Sequence, residues 1–336
     1  MTALCRRPGT ALAVLVLSAC GPADFSGPIQ PAEWTALADG ARWRPLAVPA
    51  GGGPGFTAIP PSWSGVSFAN RLNEDSMIEN QMLTNGSGVA LADVDGDGRI
   101  DLFFARLDGA NVLYRNLGDW RFEDVTAGSG LAAEDRFSTG GVFADVDGDG
   151  DPDLILTAVG GGTSLYRNDG AGRFAVDPEA GLDPASGAMS AALADIDADG
   201  DLDLYVTNYK DRWARDAIPP AERAYDRVEE EEDGRFSIRP GFEDYFRVIR
   251  TDEGWQRWEF AQRDEAYRTE GGRFEEISFT GGVFRDEAGR PLERAPDEWG
   301  LAARFADFDL DGDPDLYVCN DINSPDHIWV NDGRGG

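Results

Sequence analysis

Four stretches of this chain place a carboxylate at every second position and then close on one more: Asp93-Val-Asp95-Gly-Asp97-Gly-Arg-Ile-Asp101, Asp145-Val-Asp147-Gly-Asp149-Gly-Asp-Pro-Asp153, Asp195-Ile-Asp197-Ala-Asp199-Gly-Asp-Leu-Asp203 and Asp307-Phe-Asp309-Leu-Asp311-Gly-Asp-Pro-Asp315. The shared pattern is D-x-D-x-D-G-x-x-D. Carboxylates at positions one, three, five and nine, with a backbone carbonyl at seven, form an oxygen-only, flexible shell, which is the chemistry of a calcium cage. Glycine at position six (Gly98, Gly150, Gly200, Gly312) permits the sharp turn that wraps the chain around an ion. A solvated acidic turn would account for one such stretch; four in the same local context favour a metal.

The elements that hold these loops read as strands. Gly88-Val-Ala-Leu-Ala92 precedes the first loop and Leu102-Phe-Phe-Ala105 follows it, and the other loops run into Leu154-Ile-Leu-Thr157, Leu204-Tyr-Val-Thr207 and Leu316-Tyr-Val-Cys319. Short apolar runs across a tight turn predict β-hairpins with the ion at the turn, not the flanking helices of an EF-hand. A second signature follows each hairpin: Leu113-Tyr-Arg-Asn116, Leu165-Tyr-Arg-Asn168, Ala266-Tyr-Arg-Thr269 and Ile328-Trp-Val-Asn331, with Phe122, Phe174 and Phe274 marking a further strand. The loops begin 52, 50 and 112 residues apart. Several strands per unit at a period near fifty predict the blades of a β-propeller.

The long interval has a local cause. Leu154 to Leu165 spans 11 residues, whereas Leu204 to Ala266 spans 62, so an insert of about fifty residues lies inside one blade, at about 209–265. It carries Trp213, Tyr225, Tyr245, Phe246, Trp255 and Trp258 around the acidic run Glu229 to Asp233, and a smaller excess lies near Gly281 to Pro296. Inserts in repeat proteins map to one face, often the binding face, which makes Trp213, Trp255 and Trp258 candidate ligand contacts. The alternative is a satellite core for the insert itself.

With 62 acidic and 30 basic residues, a net charge of −32 and a single histidine, the chain is a poor partner for nucleic acid, which needs clustered Lys and Arg. At the N-terminus Arg6 and Arg7 precede the apolar stretch Thr10 to Leu17, too short to span a membrane and suited to a secretion signal over residues 1–19. Leu17-Ser-Ala-Cys20 resembles a bacterial lipobox, which implies cleavage before Cys20, lipidation of its thiol and a membrane anchor; a simple signal peptide with an incidental Cys is the alternative. Gly21, in place of the Asp linked to inner-membrane retention, favours the bacterial outer membrane or cell surface as the location of the lipoprotein. After processing, Cys319 would be the only other cysteine, so no intramolecular disulfide framework is expected. Residues 20–60, rich in Pro, Gly and Ala, read as a flexible tether, and 61–336 as the folded repeats. The last residues, Asn331-Asp-Gly-Arg-Gly-Gly336, align with Asn168-Asp-Gly-Ala-Gly-Arg-Phe174 up to the residue before the Phe, so an incomplete propeller cut from a longer reading frame is expected.

Together, Gly86-Ser-Gly-Val-Ala-Leu-Ala-Asp93 with its loop, Leu113-Tyr-Arg-Asn116 followed by Phe122-Glu-Asp-Val-Thr126 and Gly130-Leu131, and Leu316-Tyr-Val-Cys-Asn-Asp321 resemble integrin-type FG-GAP/VCBS repeats, and more narrowly the bacterial relatives of the cartilage acidic protein family. The resemblance covers about residues 62–336 and implies an all-β chain, a β-propeller of four-stranded blades with calcium-binding hairpin loops. That family usually adds a C-terminal ASPIC/UnbV domain, which this sequence lacks. Carried over residue by residue, the resemblance implies about four structural calcium ions. The first site takes Asp93, Asp95, Asp97, Asp101 and the Arg99 carbonyl; the second Asp145, Asp147, Asp149, Asp153 and the Asp151 carbonyl. The third takes Asp195, Asp197, Asp199, Asp203 and the Asp201 carbonyl; the fourth Asp307, Asp309, Asp311, Asp315 and the Asp313 carbonyl.

The expected function is a calcium-stabilised, surface-anchored module that binds a glycan, matrix or protein partner. The main rival is a carbohydrate-active enzyme, a polysaccharide lyase or hydrolase on a calcium propeller, and a third reading is a structural or assembly role. The chemistry for catalysis is thin: His327 is the only imidazole, and no P-loop, GxSxG elbow or Cys/His zinc spacing is present, so no catalytic residue is assigned.

Overall fold

A computed structural model describes residues 56–334 apart from 253, 322 and 323, together with a two-residue strand pair, Thr35–Ala36 with Arg42–Trp43. The expected secretion signal, the Cys20 lipidation site and nearly all of the tether lie outside the described residues. Residues 59–336 form one compact unit.

The chain is all-β and built from blades, each an antiparallel meander in chain order. Blade I runs Val89–Ala92, Asp101–Phe104, Val112–Gly118 and Arg121–Asp124. Blade II runs Phe137–Ala144, Asp153–Val159, Gly162–Asn168 and Phe174–Asp177. Blade III pairs Ala188–Ala194, Asp203–Asn208, Glu265–Glu270 and Arg273–Glu276. Blade IV has three strands among the described residues, Gly300–Ala306, Asp315–Asn320 and His327–Trp329, without the Phe-marked fourth strand, as expected of an unfinished blade, so His327–Trp329 is its edge among those residues. No strand of one blade pairs with a strand of another, and no barrel closes among the described residues.

Blades meet face to face, which explains why their central strands read as unbroken apolar runs: alternate residues point to opposite neighbours, and both neighbours are protein. Every residue of Asp153–Val159 is buried. Leu154 and Leu156 join Phe103 and Leu113 of blade I, while Ile155 and Leu165 join Leu204, Val206 and Phe274 of blade III. Tyr205 and Ala266 continue the series against Leu316 and Val318 of blade IV. Full burial of such side chains stabilises by about 1.5–3 kcal/mol each. At one end of the blades a fourth cluster gathers Leu107, Val159, Tyr209 and Trp299 around Met82 and Leu83, which arrive on the single-turn helix Gln81–Asn85.

The insert does not disturb its blade. Leu204, Tyr205 and Val206 pair directly with Tyr267, Ala266 and Glu265 across it. Between them lie the helical turns Ala214–Ala217 and Tyr225–Val228 and two hairpins, Glu229–Glu232 with Arg235–Ile238 and Phe246–Thr251 with Gly254–Glu259. Ala214, Ile218, Val228 and Phe246 form a small core of their own, flanked by Phe242 and Tyr245.

Candidate metal centres

Each acidic loop joins the first and second strands of its blade, and the same hydrogen bonds recur in each. The carboxylate at position one folds the loop over itself by accepting backbone N–H groups from further along. Asp93 accepts from Asp97 (3.0 Å) and Gly98 (2.7 Å), Asp145 from Asp149 (3.1 Å) and Gly150 (3.0 Å), Asp195 from Asp199 and Gly200 (both 3.1 Å), and Asp307 from Leu310 (2.7 Å) and Gly312 (3.1 Å). Glycine at position six takes φ of 84°, 94°, 100° and 105° in the four loops, the left-handed region that other residues avoid. Position four is Gly96 and Gly148 in the first two loops, but Ala198 and Leu310 are held at φ 59° and 67° in the others.

Position nine does something the spacing did not reveal. Asp101, Asp153, Asp203 and Asp315 are buried, and each ties its loop to the third strand of the blade or, for Asp315, to the residue two beyond that strand. Asp101 accepts from the Val94 N–H (3.0 Å) and the Asn116 N–H (2.7 Å). Asp203 accepts from Ile196 (3.1 Å) and Thr269 (2.9 Å), and Asp315 from Phe308 (2.8 Å) and Asn331 (2.9 Å). Asp153 takes the Asn168 N–H (2.8 Å) and the Arg167 guanidinium (3.1 Å). Burial raises the carboxyl pKa of Asp101, Asp153 and Asp203, and these N–H bonds oppose it.

The structure brings Asp93, Asp95 and Asp101 together in the first loop, and positions one, three and five together in the others: Asp145, Asp147 and Asp149; Asp195, Asp197 and Asp199; Asp307, Asp309 and Asp311. In each group one oxygen per residue lies within 4.8 Å of the others. Asp95 Oδ1 and Asp197 Oδ1 are buried with no hydrogen-bond partner. Several nearby carboxylates are engaged by arginines. Asp97 is held by Arg99, Asp147 and Asp153 share Arg167 (3.0 and 3.1 Å), and Asp197 lies 3.5 Å from Arg268.

The Asn of the second signature links loops. Asn168 Nδ2 donates to Pro152 O of its own loop (3.2 Å) and to Val94 O of the loop before it (2.9 Å). Asn331 does the same with Pro314 O (3.3 Å) and Ile196 O (2.8 Å). Thr269, with a shorter side chain, bonds Leu202 O of its own loop (2.7 Å).

The three candidate tryptophans separate. Trp213 stacks on Trp299 (4.5 Å between centroids, 24° between planes) and packs against the Met82–Leu83 cluster. Trp258 donates from Nε1 to Gln256 (3.1 Å). Trp255 is exposed on the second hairpin, beside Phe236 and below the Arg250 guanidinium. His327 contacts Glu298 through Nε2, which raises its pKa, and lies over the Trp329 ring (5.3 Å). His327 and Trp329 line a cavity of about 990 Å³ whose apolar lining includes Ile277, Phe284 and Leu292, and Glu298 lines a smaller one that shares His327 and Trp329. Behind it Asp264 is buried, accepting from the Asn208 N–H (2.7 Å) and the Tyr205 hydroxyl (2.8 Å), and burial pushes its carboxyl up to about 7.

Residues 93–156 and 145–206 match the FG-GAP-like repeat family. A 77-residue stretch is 42% identical to human (Homo sapiens) cartilage acidic protein 1, covering 20% of this chain and 12% of that protein, so the match spans about an eighth of the relative's length. Among solved structures, the chain is similar to a lectin of Agrocybe aegerita, described as recognising non-reducing terminal N-acetylglucosamine, at 16% identity and a TM-score of 0.25, over 73% of this chain and 66% of that one.

Proposed function

We propose that this FG-GAP-repeat chain is a calcium-stabilised binding module displayed on a bacterial cell surface or outer membrane. The observation that carries the calcium reading is the recurrence, in four loops, of converging carboxylates with position-three oxygens left unpaired in the first and third. An unpaired buried carboxylate oxygen is costly, and a hard cation satisfies it. The donor set is oxygen only and sits on a flexible turn, which fits calcium better than a softer or geometrically stricter metal. In this reading Asp93, Asp95, Asp97 and Asp101, and their counterparts in the other loops, hold the ions with the position-seven carbonyls. Bound calcium supplies positive charge that offsets the crowded carboxylates; the chain supplies the turn and the buried position-nine aspartates that fasten it to the sheet.

The ions are structural, and the binding surface lies elsewhere. Among the candidate tryptophans, Trp255 presents the open ring, and a flat indole face suits a sugar ring or an apolar protein side chain. The partner is therefore a glycan, matrix or protein ligand outside the cell, with Cys20 as the lipid attachment point. Calorimetric titration and thermal melts in calcium and in chelator test the metal. About four sites of roughly 10⁻⁴–10⁻³ M are expected, with a clear rise in melting temperature. A folded chain that takes up no calcium would refute the proposal. The carbohydrate-active enzyme is a second reading because His327, in contact with Glu298, lines the large cavity. Incubation with polysaccharides separates the two: retention without new chain ends supports the binder, and turnover abolished by His327→Ala supports the enzyme.

A further inference from the structure

The four loops carry the same carboxylates but different neighbours of opposite charge. In the strand signature that follows each loop, the third residue is Arg115, Arg167, Arg268 or Val330. Arg167 enters its loop most fully. Its Nη1 donates to Asp147 at position three (3.0 Å) and to Asp153 at position nine (3.1 Å), while its Nε reaches Asp177 on the outer strand (3.3 Å). Arg268 approaches one loop carboxylate, Asp197, at 3.5 Å, and Arg115 turns away to Glu123 on the outer strand (2.9 Å). Val330 brings no charge to loop four.

Three details mark Arg167 as built into loop two. At position nine, Asp101, Asp203 and Asp315 use Oδ2 to accept the N–H of position two, whereas Asp153 gives Oδ2 to the guanidinium. At position three, Asp95 and Asp197 each keep a buried Oδ1 with no hydrogen-bond partner. Asp147 has both oxygens engaged, Oδ1 by the Asp149 N–H (3.3 Å) and Oδ2 by Arg167. The next blade then covers the pair. Arg167 Nη2 donates to the carbonyl of Gly272, in the turn between the last two strands of blade III, and a β-carbon on Gly272 would lie 2.8 Å from both Nη2 and the Asp147 β-carbon. The Arg167 side chain is 22% exposed, against 43% for Arg115 and 44% for Arg268.

We propose that Arg167 is the resident counter-ion of loop two, which makes that loop the weakest of the four calcium sites and lets it keep its shape without the ion. The proposal rests on the calcium reading above and ranks the sites within it. A guanidinium stays charged at any ordinary pH and its forked donors suit several carboxylates at once. An entering divalent cation must share Asp147 and Asp153 with it. A unit positive charge in contact with two ligand oxygens weakens such binding by about tenfold or more, even at the dielectric of water. Loops one and three instead hold an unpaired buried oxygen that a cation satisfies.

Calcium titration by calorimetry, with thermal melts in calcium and in chelator, tests this on the full chain as wild type, Arg167→Met and Arg115→Met. The wild type is expected to show one site about tenfold or more weaker than the rest. In Arg167→Met that site should strengthen to join the others. In chelator the same variant should melt below the wild type, since Asp147 and Asp153 then face each other without a counter-charge, and saturating calcium should raise its melting temperature by more than it raises the wild type's. Arg115→Met removes an equal charge outside the loops and should change neither reading. If Arg167→Met is too unstable to titrate, Val330→Arg tests the converse at an exposed position. Asn331 bonds its own loop and the preceding one as Asn168 does, so Val330 holds the backbone place of Arg167, and the arginine should weaken the site of loop four by a similar factor. Four equal sites in the wild type, a weak site unmoved in Arg167→Met, equal shifts in Arg167→Met and Arg115→Met, or an unchanged titration of Val330→Arg would each overturn the proposal and leave the calcium reading standing. Folded chains that take up no calcium would overturn both.

Discussion

Single residues carry strain and charge that the loop pattern alone does not display. Ala198 and Leu310 occupy left-handed backbone where the first two loops have Gly96 and Gly148. A β-carbon there costs about 1–2 kcal/mol, partly offset by the greater chain entropy of an unfolded glycine. Ala198→Gly should therefore stabilise by about 0.5–1 kcal/mol, read as a shift of the urea midpoint at constant slope. Asp264 sets a pH dependence. Burial lifts its carboxyl to about 7 from the ordinary 3.8, so between those values the folded state holds more protons than the unfolded chain. Stability then falls as pH rises through that window, and the loss is complete above about 7. His327, raised by Glu298, acts in the same direction: its contribution is full below the usual imidazole value and is lost as pH rises through the higher folded value. Melting temperatures from pH 5 to pH 8 should fall for the wild type and fall less for Asp264→Asn, whose amide can still accept from the Asn208 N–H and donate to the Tyr205 oxygen. An equal slope in the variant would exclude Asp264 as the cause.

At the scale of elements, the hairpins were legible because everything that makes them is local. The loop spacing, the apolar runs on either side and the Phe marking the outer strand all fall within one unit, and Phe122, Phe174 and Phe274 do lie in fourth strands. What escaped the sequence depends on distant chain. The position-nine aspartates look like further ligands in a linear pattern, but their buried bonds to Asn116, Asn168, Thr269 and Asn331 fasten the loop to backbone fifteen or more residues away. Arg167 reads as part of a strand motif, yet it reaches Asp147, Asp153 and Asp177 and the Gly272 carbonyl of the next blade. Trp213 looked like a candidate contact because nothing nearby in sequence hints at Trp299. Another element-scale device is the turn before each complete blade. Gly65, Gly130 and Gly181 sit so close to Phe122, Phe174 and Phe274 that a β-carbon would lie 2.4, 2.2 and 2.1 Å from the phenylalanine carbonyl oxygens. Gly181→Ala should cost about 2–4 kcal/mol by thermal or denaturant unfolding, because it adds a backbone clash to the left-handed strain. Gly282→Ala is the control: φ there is 95°, but no atom lies within 4 Å, so only the backbone strain of about 1–2 kcal/mol is expected.

For the molecule as a whole, a net charge of −32 works against compactness, and calcium is the proposed relief. In chelator, added sodium chloride should raise the melting temperature by screening carboxylate repulsion; in saturating calcium the same salt should do less. Equal salt responses in the two conditions would mean that the loops do not hold the ions. The close fit of Gly130 to Phe174 and of Gly181 to Phe274 also bears on how such a chain can be cut and rejoined. The turn that closes on a blade's outer strand comes before that blade's first strand. The transplantable module therefore starts upstream of its own sheet: for blade II it runs from Thr126 to Asp177, not from Phe137 to Asp177. Chimaeras joined at the sheet boundaries would inherit an outer strand without the turn that fits it, whereas junctions placed at Val125 and Pro178 would carry the repeat across whole.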